Sequence, residues 1–339
     1  MPEPVIVTRP EFVKAEKVFT AETGFRIHPV DPEEEVLARA IRNRECRAVI
    51  LGPLQYSGDL YEALSDAAAG RPGLIARFGV GHDGVDKEKA RKRNIIVTNT
   101  PGVLDVSVAE HAVGMLLCLA HRIAELDRRM RDGDFPPKPG SELPGKTLVL
   151  VGFGPIARRV ASMAHRGLGM RVMAAGRRSA EKLLSDEKTS IEKLKSNHGF
   201  ERYTNEVDSA LPEADFVSLH IPAIPQNDRF IDARRLARFK PSAMLVNTAR
   251  GAVIDEDALF DALSSGRLAA AALDVFRREP YVPQSPDKDL RALENVVLTP
   301  HVASCTLEAN ERMGRASLAN VRAFFEGRTR DMTRVEGEH

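Results

Sequence analysis

Short apolar runs rich in β-branched residues alternate along the chain with longer segments of helical periodicity. The runs predict strands at residues 5–8, 48–51, 74–78, 95–98, 147–151, 171–174, 216–219, 243–247, 270–275 and 296–299. A helical stretch from about Ser107 to Arg131, followed by a loop rich in Pro and Gly, separates the first four strands from the others. The segment from Glu181 to Asn197 is rich in Lys and Glu, which predicts a solvated surface helix. Because strands that alternate with helices wind into parallel sheets, the pattern predicts two doubly wound α/β domains.

The size and charge of the chain favour a globular protein of two domains that binds small molecules. Its 339 residues with 43% hydrophobic content allow two domains, each with its own core. Lys and Arg number 49 and Asp and Glu 48, and the net charge of +1 argues against nucleic acid or an anionic membrane as a partner. Three widely spaced cysteines argue against a disulfide framework and a metal site and fit a reducing cytoplasm. No signal peptide or membrane span is expected, so the predicted partners are small molecules.

A glycine-rich turn follows the strand predicted at 147–151. Gly152-Phe-Gly154-Pro-Ile-Ala157 precedes a segment of helical period, which is the context of a dinucleotide-binding loop. The first glycine permits a tight turn, the second lets the backbone approach a pyrophosphate, and Ala157 lets the helix pack closely on the strand. The pyrophosphate would lie at the helix N-terminus, at Pro155 and Ile156, where unpaired N–H groups favour an anion. An ordinary strand-to-helix turn is the alternative.

The next predicted strand lacks the acidic residue of an NAD-selective site. In such sites an Asp or Glu about 20 residues after the glycine loop binds the adenosine ribose. Here the strand runs instead into Gly176-Arg177-Arg178. Planar, permanently charged guanidinium groups suit the 2′-phosphate of NADP. We therefore expect NADP(H) to be preferred and NAD(H) to be the second cofactor, with exposed arginines at a strand end as the alternative.

Three polar side chains follow predicted strands downstream of the glycine loop: Arg250, Glu279 and His301. Open parallel sheets build their sites at the carboxyl ends of strands. Reduction of a 2-keto acid needs a bidentate cation for the carboxylate and carbonyl, a proton donor that titrates near neutrality, and a carboxylate that orients this donor. Arg250, His301 and Glu279 match these needs in that order. Each residue alone has a simpler explanation as a surface or turn residue, but the three together predict a catalytic set.

Several motifs together resemble the D-isomer-specific 2-hydroxyacid dehydrogenases, which include glyoxylate/hydroxypyruvate reductases, D-lactate dehydrogenases, phosphoglycerate dehydrogenases and formate dehydrogenase. The resemblance extends from about Arg77 to about Met313. Besides the glycine loop it rests on Gly79-Val-Gly-His-Asp-Gly-Val-Asp86, Val108-Ala-Glu-His111, Gly145-Lys-Thr-Leu148, Asn247-Thr-Ala-Arg-Gly251, Leu273-Asp-Val-Phe276 with Glu279-Pro280, and Thr299-Pro-His301. The chain departs from the family at Gly84, where an Asn is common.

The resemblance implies roles for individual residues. Arg250 would bind the substrate carboxylate and polarise the carbonyl. His301 would be the general acid in reduction and the general base in oxidation, and Glu279 would be its carboxylate partner. The backbone N–H groups of Val80 and Gly81 would cradle the substrate carboxylate. Asp274 would contact the nicotinamide carboxamide, and Ala249 would complete the cofactor site.

The implied architecture is a Rossmann cofactor domain, residues 103–304, inserted in a flavodoxin-like substrate domain, residues 1–102 and 305–339. The helix that begins near Ser107 carries apolar residues on more than one face. Because members of the resembled family are usually homodimers, we expect this helix to form a homodimer contact. The resemblance favours reduction of a small 2-keto acid to a D-2-hydroxy acid. Formate oxidation is the alternative reaction, and a non-catalytic dinucleotide-sensing binding protein is the alternative class.

Overall fold

The computed structural model describes residues 2–135 and 137–335. They form two compact units, one made of the chain up to Leu104 together with the chain from Ser304 onward, the other of the stretch between. The expected fold class, two doubly wound parallel-sheet units, is confirmed. The domain limits at 102 and 304, and the assignment of one domain to substrate and the other to cofactor, stay predictions.

The elements of the described residues are numbered in chain order. The strands are β1 (Glu3–Thr8), β2 (Phe25–Val30), β3 (Ala48–Leu51), β4 (Gly73–Arg77), β5 (Ile95–Thr98), β6 (Thr147–Val151), β7 (Arg171–Ala175), β8 (Arg202–Thr204), β9 (Phe216–Leu219), β10 (Met244–Asn247), β11 (Ala270–Leu273) and β12 (Val296–Leu298). The helices are α1 (Arg9–Lys14), α2 (Glu16–Thr20), α3 (Glu34–Arg44), α4 (Leu60–Ala68), α5 (Lys87–Lys92), α6 (Asp105–Ala120), α7 (Ile123–Arg131), α8 (Pro155–Leu168), α9 (Ala180–Glu187), α10 (Ile191–His198), α11 (Val207–Ala210), α12 (Ala233–Leu236), α13 (Glu256–Ser264) and α14 (Leu307–Phe325). Short 3₁₀ turns cover Leu211–Glu213, Pro225–Asn227, Gly251–Val253, Leu290–Ala292 and Thr329–Asp331.

The first unit holds a five-stranded sheet in the order β2-β1-β3-β4-β5, in which every pairing is parallel. β3 and β4 lie inside the sheet and are buried along their whole length, which explains the nearly unbroken apolar runs of the sequence there. The polar exception is Arg77, the last residue of β4. The loops that follow β1, β3 and β4 therefore begin side by side at the carboxyl edge of this sheet.

The second unit holds a seven-stranded sheet in the order β12-β11-β10-β9-β6-β7-β8, again with every pairing parallel. Alternate residues of β6 pack into two separate cores, Val149 and Val151 into one and Leu148 and Leu150 into the other. Both faces of the sheet are thus covered, as expected for parallel strands. The strand order reverses between β6 and β9, and open α/β sheets bind dinucleotides outside the carboxyl ends of such strands.

Two strands are absent from the sequence prediction, β2 and β8. Each lies at an edge of its sheet. Val30 is the one buried residue of β2, and β8 has none. Pro29 also lies in β2, a position that proline tolerates because an edge strand leaves some N–H groups unpaired. Edge strands bury little apolar surface, so the hydrophobic pattern that marks interior strands is missing there.

The helix predicted from Ser107 to Arg131 is instead two helices, α6 and α7, bent by 61°. Arg122 lies between them with a φ of 54°, a left-handed conformation that interrupts a right-handed helix. Its guanidinium donates to the carbonyl of Pro139 at 3.2 Å and to Glu125 at 3.0 Å, which holds the bend. Within the described residues no single helix is long and apolar enough to cross a membrane, and only this bent pair passes that test, by combined length and composition.

The segment rich in Lys and Glu also differs from its prediction as one solvated helix. It forms α9 and α10, separated near Lys188, which has a φ of 49°. Leu183 and Leu194 are buried in the core that also contains alternate residues of β6 and β7. The segment therefore covers part of one sheet face, and its charged residues lie on the outer side of that cover.

Candidate active site

The turn after β10 places Arg250 at the carboxyl edge of the seven-stranded sheet. The side chain of Asn247, the last residue of β10, closes this turn from both directions. Its Oδ1 accepts the N–H of Ala249 at 3.0 Å, and its Nδ2 donates to the carbonyl of Arg250 at 2.9 Å. The Arg250 guanidinium donates to the carbonyl of Ala249 at 2.7 Å. A buried amide thus fixes the backbone from which the guanidinium extends.

Gly251 brings this turn into contact with the segment after β11. A Cβ at Gly251 would lie 1.8 Å from the carbonyl carbon of Phe276, so only glycine allows the two backbones to approach so closely. The buried carboxylate of Glu256 reinforces the contact, because it accepts the N–H of Arg277 at 2.7 Å. Burial raises the pKa of Glu256. The backbones that carry Arg250 and Glu279 are therefore packed against each other.

Glu279 and His301 form a hydrogen-bonded pair. Glu279 Oε2 lies 2.7 Å from His301 Nδ1, and Glu279 Oε1 accepts the N–H of Phe276 at 2.9 Å. Burial alone would raise the pKa of Glu279, but the hydrogen bonds from His301 and Phe276 outweigh it, and the nearby Arg250 charge acts with them, so this pKa is below its usual range. The His301 side chain is 36% exposed, which leaves Nε2 as the ring nitrogen that can meet a substrate.

Asp274 anchors the segment that carries His301. Its carboxylate has no exposed surface and accepts three hydrogen bonds, from the Thr299 hydroxyl at 2.6 Å, the Val302 N–H at 2.8 Å and the Ala303 N–H at 2.9 Å. The Asp274 carbonyl accepts the N–H of His301 at 2.8 Å. His301 itself has a φ of 53°, a left-handed conformation that histidine adopts more readily than most residues. The proposed contact of Asp274 with a nicotinamide carboxamide stays a prediction.

His111 joins this network, which the sequence analysis did not foresee. Its Nε2 lies 3.2 Å from the Thr299 hydroxyl. Because that hydroxyl gives its proton to Asp274, His111 is the donor to Thr299. The motif Val108-Ala-Glu-His111 carried the residue in the sequence, but nothing in it indicated a partner almost two hundred residues away.

The glycine loop has the backbone geometry that a pyrophosphate needs. Gly152 has a φ of 97°, and a Cβ there would lie 2.4 Å from the carbonyl oxygen of His220. Gly154 is the N-cap of α8 and Pro155 its first residue, while Ala157 is fully buried beneath the helix. The N–H groups of the first turn, including that of Ile156, have no partner within the helix. These residues fit a dinucleotide pyrophosphate.

At the end of β7, Gly176 lies close to the side chain of Tyr203. A Cβ at Gly176 would lie 2.8 Å from the hydroxyl of Tyr203, which donates to the Arg178 carbonyl at 2.9 Å. The Arg178 guanidinium pairs with Asp186 at 3.1 Å. Arg177 is exposed and, among the described residues, has no hydrogen-bond or ion-pair partner. Of the two arginines, Arg177 therefore has the guanidinium that is available to a phosphate.

The remaining predicted substrate residues, Val80 and Gly81, belong to the first unit. They lie in the loop after β4 and are half-buried. Gly79, which begins this loop, has a φ of 136°, a conformation open to glycine. In neither unit do the described residues include a group of three or more His, Cys, Asp or Glu side chains arranged to hold a metal ion.

Comparison with known protein families and sequences bears on this site. The sequence model described as D-isomer specific 2-hydroxyacid dehydrogenase, NAD binding domain, matches residues 113–303. The glyoxylate reductase of Korarchaeum cryptofilum is 37% identical over 305 residues, which cover 87% of this chain and 84% of that protein. The matched range includes the glycine loop and the segments that carry Arg250, Glu279 and His301.

Solved structures with the same fold include reductases and dehydrogenases. The NADPH-dependent glyoxylate/hydroxypyruvate reductase of Sinorhizobium meliloti, in complex with NADP and malonate, is 27% identical, with a TM-score of 0.77 and full coverage of both chains at 100%. The D-lactate dehydrogenase of Lactobacillus jensenii, solved with NAD⁺, is 27% identical, with a TM-score of 0.77 and coverage of 98% of this chain and 100% of the other. The two similar structures thus hold different nicotinamide cofactors.

The contact at Gly251 gives a testable prediction. Gly251→Ala should destabilise the protein by about 2–3 kcal/mol, because the new methyl group overlaps the Phe276 backbone and must push the two segments apart. Gly167→Ala is the matched control, since its Cβ meets nothing within 4 Å in α8 and should stabilise by up to about 1 kcal/mol. Urea denaturation of both variants measures these changes, and equal stabilities would contradict the close approach.

Proposed function

Because the chain belongs to the D-isomer-specific 2-hydroxyacid dehydrogenase family, we propose that it reduces a small 2-keto acid to the D-2-hydroxy acid with hydride supplied by a bound nicotinamide cofactor. The observation that carries the proposal is the 2.7 Å contact between His301 Nδ1 and Glu279 Oε2. The contact pairs a partly exposed imidazole with a carboxylate of lowered pKa, beside the positive charge of Arg250.

His301 acts as the general acid in reduction and as the general base in oxidation. Glu279 holds Nδ1, so Nε2 faces the substrate and donates a proton to the carbonyl oxygen as negative charge develops there. The second oxygen of Glu279 accepts the N–H of Phe276, so the carboxylate that orients the ring is itself fixed. Glu279 acts through His301 and is a positioning residue.

The substrate carboxylate is bound by charge and by backbone N–H groups. Arg250 offers a planar fork of donors to the carboxylate and polarises the neighbouring carbonyl. The assignment of the backbone N–H groups of Val80 and Gly81 to the substrate carboxylate stays a prediction. The names of the relatives favour glyoxylate or hydroxypyruvate as the substrate. Both acids carry the carboxylate and the neighbouring carbonyl that these contacts would bind.

The cofactor is NADP(H) in preference to NAD(H). Gly152, Gly154 and the first turn of α8 would hold the pyrophosphate, and Arg177 would bind the 2′-phosphate. No carboxylate lies between Gly169 and Ser179, where the acid of an NAD-selective site is expected. The cytoplasmic location and the homodimer stay predictions. Ile123 and Met130 of α7 are exposed, which supports an apolar contact surface next to α6, the helix at which the dimer contact was expected.

The reaction is tested by a screen of glyoxylate, hydroxypyruvate, pyruvate and phenylpyruvate with both cofactors. We expect glyoxylate or hydroxypyruvate to give the highest kcat/KM with NADPH, measured by the loss of absorbance of the reduced cofactor. Chiral analysis of a product such as glycerate should show the D isomer. No turnover of any keto acid, or turnover of formate alone, would contradict the proposal.

His301→Asn should lower kcat by about 100-fold or more while cofactor affinity stays near that of the wild type, because the proton donor is lost. Asparagine tolerates the left-handed backbone of position 301, so the segment should keep its conformation. Steady-state kinetics and cofactor fluorescence titration give the two quantities. A kcat within threefold of the wild type would remove His301 from the chemistry.

Wild-type enzyme should prefer NADPH over NADH by at least about tenfold in kcat/KM, since a charge-assisted hydrogen bond contributes about 1.5–3 kcal/mol. Arg177→Ser should abolish most of this preference, whereas Arg178→Ser should change it less because Arg178 already pairs with Asp186. The preference should also shrink as salt is raised, since the phosphate contact is exposed to solvent. Equal use of both cofactors by the wild type would show that Arg177 is only a surface residue.

A further inference from the structure

The loop Gly79–Gly81 turns all three of its carbonyl oxygens toward its own unit. Each accepts one hydrogen bond: Gly79 from the Thr100 N–H at 3.0 Å, Val80 from Asn99 Nδ2 at 2.9 Å, and Gly81 from Arg77 Nε at 3.1 Å. Among the described residues, the N–H groups of Val80 and Gly81 donate to no partner. Successive N–H groups exposed in this way form a concave site for an anion.

Arg77 connects this loop with the loop that follows the neighbouring strand. The residue is 3% exposed, and its guanidinium also donates to the carbonyl of Gly52, directly after β3. One rigid, planar group therefore holds two backbone segments at fixed positions. A lysine or a neutral side chain cannot reproduce a fork that reaches two carbonyls in fixed directions.

The two loops also pack directly on each other. The N–H of Tyr56 donates to the carbonyl of Gly84 at 2.9 Å, and a Cβ at Gly84 would lie 2.4 Å from the carbonyl oxygen of Leu54. This approach explains why the chain has glycine where the family often has Asn. The hydroxyl of Tyr61 adds a further link, because it donates to the Tyr56 carbonyl at 2.9 Å and accepts the Asp86 N–H at 2.7 Å.

We propose that Arg77 is a positioning residue for substrate binding, which holds the Gly81 and Gly52 carbonyls so that the Val80 and Gly81 N–H groups point at the substrate carboxylate. The inference rests on the proposed function, in which these N–H groups bind that carboxylate. Arg77 does not touch the substrate, since its guanidinium lies beneath the loop on the carbonyl side. Its effect should therefore fall on the affinity for the carboxylate and not on the chemical step.

The test uses Arg77→Met and Arg77→Gln in the whole chain of 339 residues, with the preferred keto acid and with oxamate as a carboxylate probe. We expect the KM of the keto acid and the inhibition constant of oxamate to rise together by about tenfold, because the cradle is no longer held in place. The kcat at saturation should stay within about threefold, and the dissociation constant of NADPH should not change.

Arg47→Met is the matched control. Arg47 is a half-buried arginine of the same unit, immediately before β3. Its guanidinium stacks on Phe324 and Phe325, with its central carbon 4.9 and 4.7 Å from the ring centroids. Its loss should lower the melting temperature without raising the KM of the keto acid or weakening oxamate. This separates a general loss of stability from a specific loss of carboxylate affinity.

A keto acid KM within twofold of the wild type in either folded Arg77 variant would overturn the inference while leaving the proposed function intact. Equal increases in KM for the Arg77 and Arg47 variants would also overturn it, since they would indicate a structural effect alone. If Arg77→Met does not fold, the KM measured for Arg77→Gln decides the question. The glutamine amide can donate to one of the two carbonyls, which favours folding, but it cannot hold both. Absence of keto acid turnover by the wild type would overturn the proposed function and this inference with it.

Discussion

The carboxylate of Asp274 is fully buried, and most of the site geometry follows from the hydrogen bonds that it requires. A carboxylate in an apolar interior is unfavourable by several kcal/mol unless its oxygens are hydrogen-bonded. Here the donors come from Thr299, Val302 and Ala303, so the chain after β12 must fold back over the end of β11. That return places His301 in a left-handed conformation, from which its ring reaches Glu279.

Glu279 shows how the same principle prepares a side chain for chemistry. Both of its oxygens have partners, one in the backbone at Phe276 and one in the ring of His301. A carboxylate held in this way has little freedom to rotate, so the histidine is already oriented before a substrate arrives. The contact of Gly251 with Phe276 ties the same segment to the turn that carries Arg250, and the three side chains share one rigid edge of the sheet.

The sequence predicted the positions of Arg250, Glu279 and His301 because each follows an apolar strand, and parallel strands present their carboxyl ends at one edge. It did not reveal the partner of His111, because a histidine in a helix gives no indication of a distant hydroxyl. It missed β2 and β8 because edge strands bury few side chains, and it missed the break at Arg122 because no glycine or proline marks it. Periodicity reports burial, whereas bends and polar contacts depend on single backbone angles and on tertiary partners.

Substitutions at Gly152 and at Arg177 should differ in how well the fold tolerates them. The missing side chain at 152 lets the backbone meet the carbonyl of His220 between β6 and β9, so any substitution there must spread the centre of the sheet. Arg177, in contrast, is exposed and replaceable without disturbing the core. Substitutions at the exposed end of β7 can therefore accumulate over evolution without loss of the fold, whereas a side chain at position 152 would require a remodelled sheet.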